Sequence, residues 1–217
     1  MSSDNRLRRN GSRLIQELLV YNRFRVYLQR KAEAPRVLAG FRLPTGAECI
    51  EVGCGHGAGT LLISGHFDCG RIVGVDSDPE VIERARRYVA HPPAWARGTR
   101  TDQIEFAHAD AARLPYADSN FDAAFLFAVL NSAAAWKEVV SEVFRVLKPG
   151  GVFSFKEAVR PAALSRLSRL FFFMPVIGED ELKEHLTRTG FAIESFAVNR
   201  RQPRAFVRAR KDQRGFA

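Results

Sequence analysis

Several protein classes are excluded by what this chain lacks. No apolar run reaches about 18 residues, so no segment is built as a hydrophobic membrane-spanning helix. The opening residues, MSSDNRLRRNGSRL, have neither the apolar stretch nor the small-residue cleavage site of a secretory leader. Cysteine is scarce. Cys49, Cys54 and Cys69 are odd in number and form no CxxC, which argues against a disulfide framework or a cysteine zinc site. The expected compartment is the reducing cytoplasm. HExxH and GxSxG are absent, as is any acid pair spaced for hydrolysis, and no metal site is expected. There is no internal repeat and no low-complexity stretch.

Negative charge is scarce at both ends. The formal net charge of +9 divides into +6 over residues 1–40, −3 over 41–150 and +6 over 151–217. Two readings stand: solvated arginine-rich faces, or attraction to something anionic such as a membrane surface, a nucleic acid or an acidic substrate.

What is present is apolar material for one core. Of 217 residues 46% are hydrophobic, and Phe, at 17, is the main aromatic. The expected organisation is a helical extension over 1–42, a single domain over 43–212 and a tail over 213–217. Three-to-four spacing of apolar residues predicts helix over 12–40, broken by Pro35. From there strands (48–53, 71–77, 104–110, 121–130, 152–159) alternate with helices (57–66, 79–90, 132–147, 178–190). Asp78 is the expected cap and Pro79 the first residue of the 79–90 helix. Lys148-Pro149-Gly150-Gly151 is expected to end the 132–147 helix as a turn. Two last strands, 191–199 and 203–210, are joined too tightly for a crossover and must be antiparallel. The fold class is therefore α/β, a doubly wound and mostly parallel sheet with one reversed strand. Such sheets bind ligands at the carboxyl ends of their strands.

One of those ends carries CIEVGCGHGAGT, residues 49–60. Gly53, Gly55 and Gly57 let the chain turn sharply and let a ligand lie against bare backbone. The spacing Gly53-x-Gly55-x-x-Ala58 also fits a dinucleotide fingerprint, so the glycines admit two tenants. Glu51 weighs between them: a carboxylate there repels a pyrophosphate and favours the ammonium of an amino-acid-bearing ligand, unless it is only a solvated strand-end acid. Asp76, ending the second strand, suits ribose hydroxyls of either tenant. Asp110, after the third, can accept from an exocyclic adenine amine, with the backbone of Ala111 beside a ring nitrogen.

EVGCGHG, VGVDSD, HADAARLPYADSNFD and VFRVLKPGG, in that order and spacing, resemble the class I S-adenosylmethionine-dependent methyltransferases. Within them the chain is most similar to the small-molecule group that includes quinone-biosynthesis C-methyltransferases. The resemblance is strong over about 45–155 and moderate to 210. It implies a Rossmann-like seven-stranded sheet in the order 3-2-1-4-5-7-6, strand 7 antiparallel, with S-adenosylmethionine as cofactor and S-adenosylhomocysteine as product. By the same resemblance Glu51 holds the methionine ammonium. Gly53, Cys54, Gly55 and Gly57 lie along the methionyl and ribose parts, although the Cys54 thiol itself reads as a small packing group. Asp76 takes the ribose, Ser77 lines the adenine slot, Asp110 binds the adenine amine, Ala111 lies beneath the ring and Phe127 sits by the sulfonium. Many relatives carry paired histidines after strand four; here the residues are Leu130-Asn131-Ser132, which removes an obvious general base.

The cofactor carries the activation, so no strict catalytic residue is required. The candidate catalytic residues are His56, inside the loop, which reads as a proton acceptor or as a loop residue facing solvent, and Asn131. The substrate side is expected from the N-terminal helices and residues 160–178. In the latter Leu164, Leu167, Leu170, Phe171 and Met174 share one helical face, and Arg160, Arg166 and Arg169 fall elsewhere. That segment reads as a lid, or as an apolar basic surface for a lipophilic small molecule or for peripheral contact with anionic lipid. Two alternatives differ in class. An RNA methyltransferase draws on the pI near 10.0 and RRQPRAFVRARK, against the absence of a separate RNA-binding module. A non-catalytic binding module would keep the fold without the reaction.

Overall fold

The structure, a computed structural model, describes residues 23–160, 176–199 and 202–212. The expected helix over 12–22 and the lid face from Leu164 to Met174 lie outside the described residues.

Among the described residues, apolar runs produce seven strands: β1 (Ala47–Val52), β2 (Cys69–Asp76), β3 (Ile104–His108), β4 (Phe121–Phe127), β5 (Leu147–Ala158), β6 (Phe191–Asn199) and β7 (Arg204–Lys211). They form one sheet in the order β3-β2-β1-β4-β5-β7-β6. β7 runs antiparallel to both β5 and β6, and the other pairings are parallel. This is the architecture the resemblance implied.

The helices cover both faces. On one lie α1 (Arg23–Leu28) and α2 (Ala34–Val37), with α3 (Ala58–Ser64) and α4 (Pro79–Ala90). On the other α5 (Trp136–Val146) and α6 (Glu179–Thr189) pack over Ile50, Val52, Phe153 and Phe155. Side chains alternate across a strand. Ile50 and Val52 of β1 therefore join the α5–α6 core, while Cys49 joins the core under α2. Glu51, two residues on from Cys49, faces the same way as Cys49.

Three local details differ from expectation. Pro35 does not break the N-terminal helix. Residues Gln29–Glu33 widen into a π-helical stretch in which Ala34 N–H donates to Gln29 O, and α2 continues from there. Shifting the ladder just before a residue without an N–H lets the helix pass through it. Lys148–Gly151 is not a free turn. It is the first part of β5, where the register against β4 jumps from Phe121↔Leu147 to Ala123↔Val152. The helix expected from 132 starts at Trp136, because Leu130–Ser132 forms a 3-10 turn. The α4 start is as read: Asp78 caps it by accepting from Glu80 N–H at 2.8 Å, with Pro79 first.

The fold also brings together two cysteines that sequence spacing kept apart. Cys49 and Cys69 are fully buried, and their sulfurs are 3.3 Å apart as free thiols.

Candidate functional site

The glycine loop leaves β1 with Gly53, Gly55 and Gly57 all at positive φ (71°, 53° and 87°). Only glycine adopts such a run without strain. The loop is tied to β2 twice, Gly53 and Cys54 N–H donating to Val75 O at 2.8 and 2.9 Å. Gly57 then caps α3.

Around this loop a cavity of about 450 Å³ opens at the carboxyl ends of β1, β2, β3 and β4. Gly53 and Gly55 floor it, Asp76 and Ser77 come from the end of β2, and Asp110 and Ala111 follow β3. Phe127 closes the β4 side. A pocket of this size suits a single organic ligand. Asp76 does two jobs here. Its Oδ2 accepts from Gly55 N–H at 3.0 Å and its Oδ1 from Asp78 N–H at 3.2 Å. Burial raises its pKa, against the lowering effect of those backbone donors. Asp110 is exposed at the opposite lip, and its Oδ1 accepts from Ala112 N–H at 2.9 Å. The His108 ring Nε2 lies 3.1 Å from Ser77 O, bridging the β2 and β3 ends.

Val129, Ser132 and Ala133 complete the wall beyond β4. They belong to no motif, and only their place just after a strand end marks them in the sequence. Between Phe127 and Val129, Ala128 is held at φ 66°, a left-handed conformation that costs a non-glycine residue energy. Its N–H is fixed to Lys156 O at 2.8 Å.

Other expected site residues are elsewhere. Glu51 was expected at the mouth; it is 1% exposed and lies beneath the loop, accepting a hydrogen bond from the Thr60 hydroxyl. The path from its carboxylate to the α3 surface is so short that a Cβ on Gly59 would overlap Glu51 Oε1. Burial pushes its pKa up to about 8, so the carboxyl is largely protonated at neutral pH. Cys54 packs among Leu61, Ile82, Ala85 and Phe106, not along the cavity. Gly57 faces Phe106, Val89 and Ala85.

Neither catalytic candidate, His56 or Asn131, lines this cavity. Asn131 is engaged on every side. Its Nδ2 donates to Glu157 Oε1 and to Ala158 O, both at 2.8 Å, and its Oδ1 accepts from Ile177 N–H at 2.9 Å. Glu157, 2% exposed, also accepts from Leu130 N–H at 2.7 Å. Its pKa is raised by burial in spite of these donors. The pair pins the turn that carries Val129 and Ser132. His56 looks away from the cavity, edge-on to Tyr88 at 5.0 Å. Burial first, and then the nearby Arg25 charge, lower its pKa.

The family described as "Methyltransferase domain" matches residues 50–155. An O-methyltransferase of Pyrenophora dematioidea is 31% identical over 163 residues, 72% of this chain and 58% of that protein. A demethylmenaquinone methyltransferase of Symbiobacterium thermophilum is 35% identical over 130 residues, 59% of this chain and 49% of that protein. The chain thus spans about half the length of these curated relatives. A solved S-adenosylmethionine-dependent methyltransferase from Methanosarcina mazei superposes with a TM-score of 0.64 at 25% identity, covering 79% of this chain and 95% of that one.

The cavity suits S-adenosylmethionine on its own chemistry. It offers one half-buried carboxylate beside glycine backbone for hydroxyl groups, and a second carboxylate across an apolar slot formed by Val75, Ala109 and Ala111 for a planar amine. An aromatic edge, Phe127, stands on the far side.

Proposed function

We propose that this chain, which carries a class I S-adenosylmethionine-dependent methyltransferase domain, methylates a small and lipophilic molecule by in-line transfer. The observation that supports it is the convergence of Asp76, Asp110 and Phe127 on one cavity at the strand ends.

When bound, S-adenosylmethionine supplies a methyl group activated by the sulfonium charge. Asp76 accepts from the ribose hydroxyls while keeping the glycine loop in place through Gly55. Asp110 accepts from the adenine amine, Ser77 and Ala111 flank the ring, and Phe127 covers the sulfonium end and excludes water. The chain's contribution is alignment, as expected when the leaving group is already activated.

Among the described residues lining the cavity, the only titratable groups are Asp76 and Asp110, and both serve the cofactor. This suits an acceptor that arrives as its own nucleophile, an ionised oxygen or an electron-rich carbon, and needs no protein base.

Calorimetry with S-adenosylhomocysteine tests the cofactor assignment. Binding is expected at 1:1, and folded protein that binds none would overturn the reading. Release of S-adenosylhomocysteine upon adding candidate acceptors then tests the transfer.

A further inference from the structure

A second cavity, larger than the one at the strand ends, lies elsewhere in the fold. It has a volume of about 870 Å³ and lies between α1 with the π-helical stretch, on one side, and α4 with the Ala94–Ala96 turn on the other. The glycine loop separates the two spaces: Gly53 and Gly55 face the first, and His56 faces this one.

Its lining has a distinct chemistry. Tyr27, Tyr88 and Trp95 supply flat apolar surface, with Val26 and Pro93. Arg30 and Arg84 supply positive charge, and no described lining residue is acidic. The Arg30 guanidinium carbon stands 5.5 Å from the Trp95 ring centroid, a cation–π arrangement that holds its plane on an aromatic face. A guanidinium that lines a cavity and is stacked on a ring suits a carboxylate or similar oxyanion. At the rim Tyr27 is 52% exposed, and Phe24, on the same helix, is 66% exposed, more apolar surface than a solvent-facing helix requires. His56, whose pKa is lowered by burial and by the Arg25 charge, adds a polar edge.

We infer that this cavity is a second ligand site, separate from the cofactor's, that takes an organic anion with a flat aromatic body, its oxyanion on Arg30 and its ring between Trp95, Tyr88 and Tyr27. The inference stands on this cavity alone and does not depend on methyl transfer.

The test uses the full chain and 2-naphthoate as the probe, followed by calorimetry and by quenching of tryptophan fluorescence. 2-Naphthamide, of the same shape without the charge, is the control. The naphthoate is expected to bind at least tenfold more tightly than the amide. Arg30→Gln should reduce naphthoate affinity at least tenfold and leave the amide unchanged, and Trp95→Ala should weaken both. S-adenosylhomocysteine binding by each variant reports that the fold is intact, and saturating S-adenosylhomocysteine should leave naphthoate affinity within about threefold. The inference is overturned if the acid does not bind, if acid and amide bind alike, or if Arg30→Gln is without effect in folded protein. Mutual exclusion of naphthoate and S-adenosylhomocysteine would also overturn it, since the two would then share one site. Loss of S-adenosylhomocysteine binding with naphthoate binding retained would instead count against the cofactor assignment alone.

Discussion

Asp76 Oδ2 accepts a hydrogen bond from the Gly55 N–H at 3.0 Å, so the acid ending β2 also holds the loop that follows β1. The residue proposed to read the ribose is therefore part of the scaffold that shapes the loop. Its loss should be felt in both.

Asp76→Asn keeps an oxygen that can accept from Gly55 but removes the charge. S-adenosylhomocysteine affinity is expected to fall about 10- to 100-fold, the equivalent of one charge-assisted hydrogen bond. Asp76→Ala should fall further, because the loop is released as well. Calorimetry on both variants, with circular dichroism as the fold control, checks the ranking. Equal affinities for Asn, Ala and the native protein would refute it.

Glu51 predicts a pH dependence in the unliganded protein. Burial raises its pKa from the ordinary 4.5 to about 8 in the fold. Between those values the native state binds a proton that the unfolded chain has released. Its stabilising effect is complete below the unfolded pKa and is lost as pH rises through about 8. Glu51→Gln should remove this decline, a slope on the order of 1.4 kcal/mol per pH unit. Urea denaturation at several pH values from about 5 to 8 measures it, and parallel curves for the two proteins would contradict the assignment.

Gly59→Ala should destabilise, against the usual helix rule. Alanine normally gains roughly 0.5–1 kcal/mol over glycine inside a helix. Here the new methyl would overlap Glu51 Oε1 and lie 2.8 Å from its Cδ and 3.0 Å from Gln29 Nε2. Overpacking of this kind costs about 1–3 kcal/mol, so a net loss is expected in the urea midpoint. A rise in the midpoint would show that Glu51 can move aside.

Asn131→Leu strips Glu157 of a donor and leaves Ala158 O and Ile177 N–H without their partner. A loss of about 2–4 kcal/mol in stability is expected, from several unmade buried hydrogen bonds. Asn131→Asp can still accept from Ile177 N–H but turns an oxygen toward Glu157 Oε1 and Ala158 O, so it should not restore that stability. If Asn131 acts only by holding the turn at Val129–Ser132, Asn131→Leu should leave the pH dependence of turnover unchanged. A shifted pH profile would instead make Asn131 a direct participant.

Ala128 is the strained residue of the cavity wall, at φ 66°. Ala128→Gly relieves a conformation that costs an L-residue roughly 1–2 kcal/mol, offset in part by the entropy of the freer unfolded chain. A small gain in stability, up to about 1 kcal/mol, is expected, while Ala128→Val should lose more than that. Thermal or urea unfolding distinguishes them.

How legible was this in the sequence? Strand ends were readable because they are local. Asp76, Asp110 and Phe127 each sit where an apolar run stops, and in a doubly wound sheet all such places face one edge. The motif order carried the strand order with it. The errors lie where a second segment intervenes. Pro35 read as a break because the π-helical adjustment ahead of it has no simple pattern. Lys148–Gly151 read as a turn because the β4–β5 register jump is a pairing property.

Glu51 and His56 show the same boundary at the site itself. Local pattern was enough to set the alternation of β1, and with it that Glu51 shares a face with Cys49. It was also enough for the glycine positions at which the loop can turn, and for the acids that end β2 and follow β3. What packs onto each face was decided only by tertiary structure. The approach of α3 and of the N-terminal helix buries Glu51 and turns His56 toward Tyr88. The return of the chain near Ile177 consumes Asn131. Adjacent strands bring Cys49 and Cys69 within 3.3 Å. The physical reason is range. Periodicity and turn chemistry act over a few residues, whereas burial, proton affinity and hydrogen-bond partners depend on whichever distant segment closes over the group.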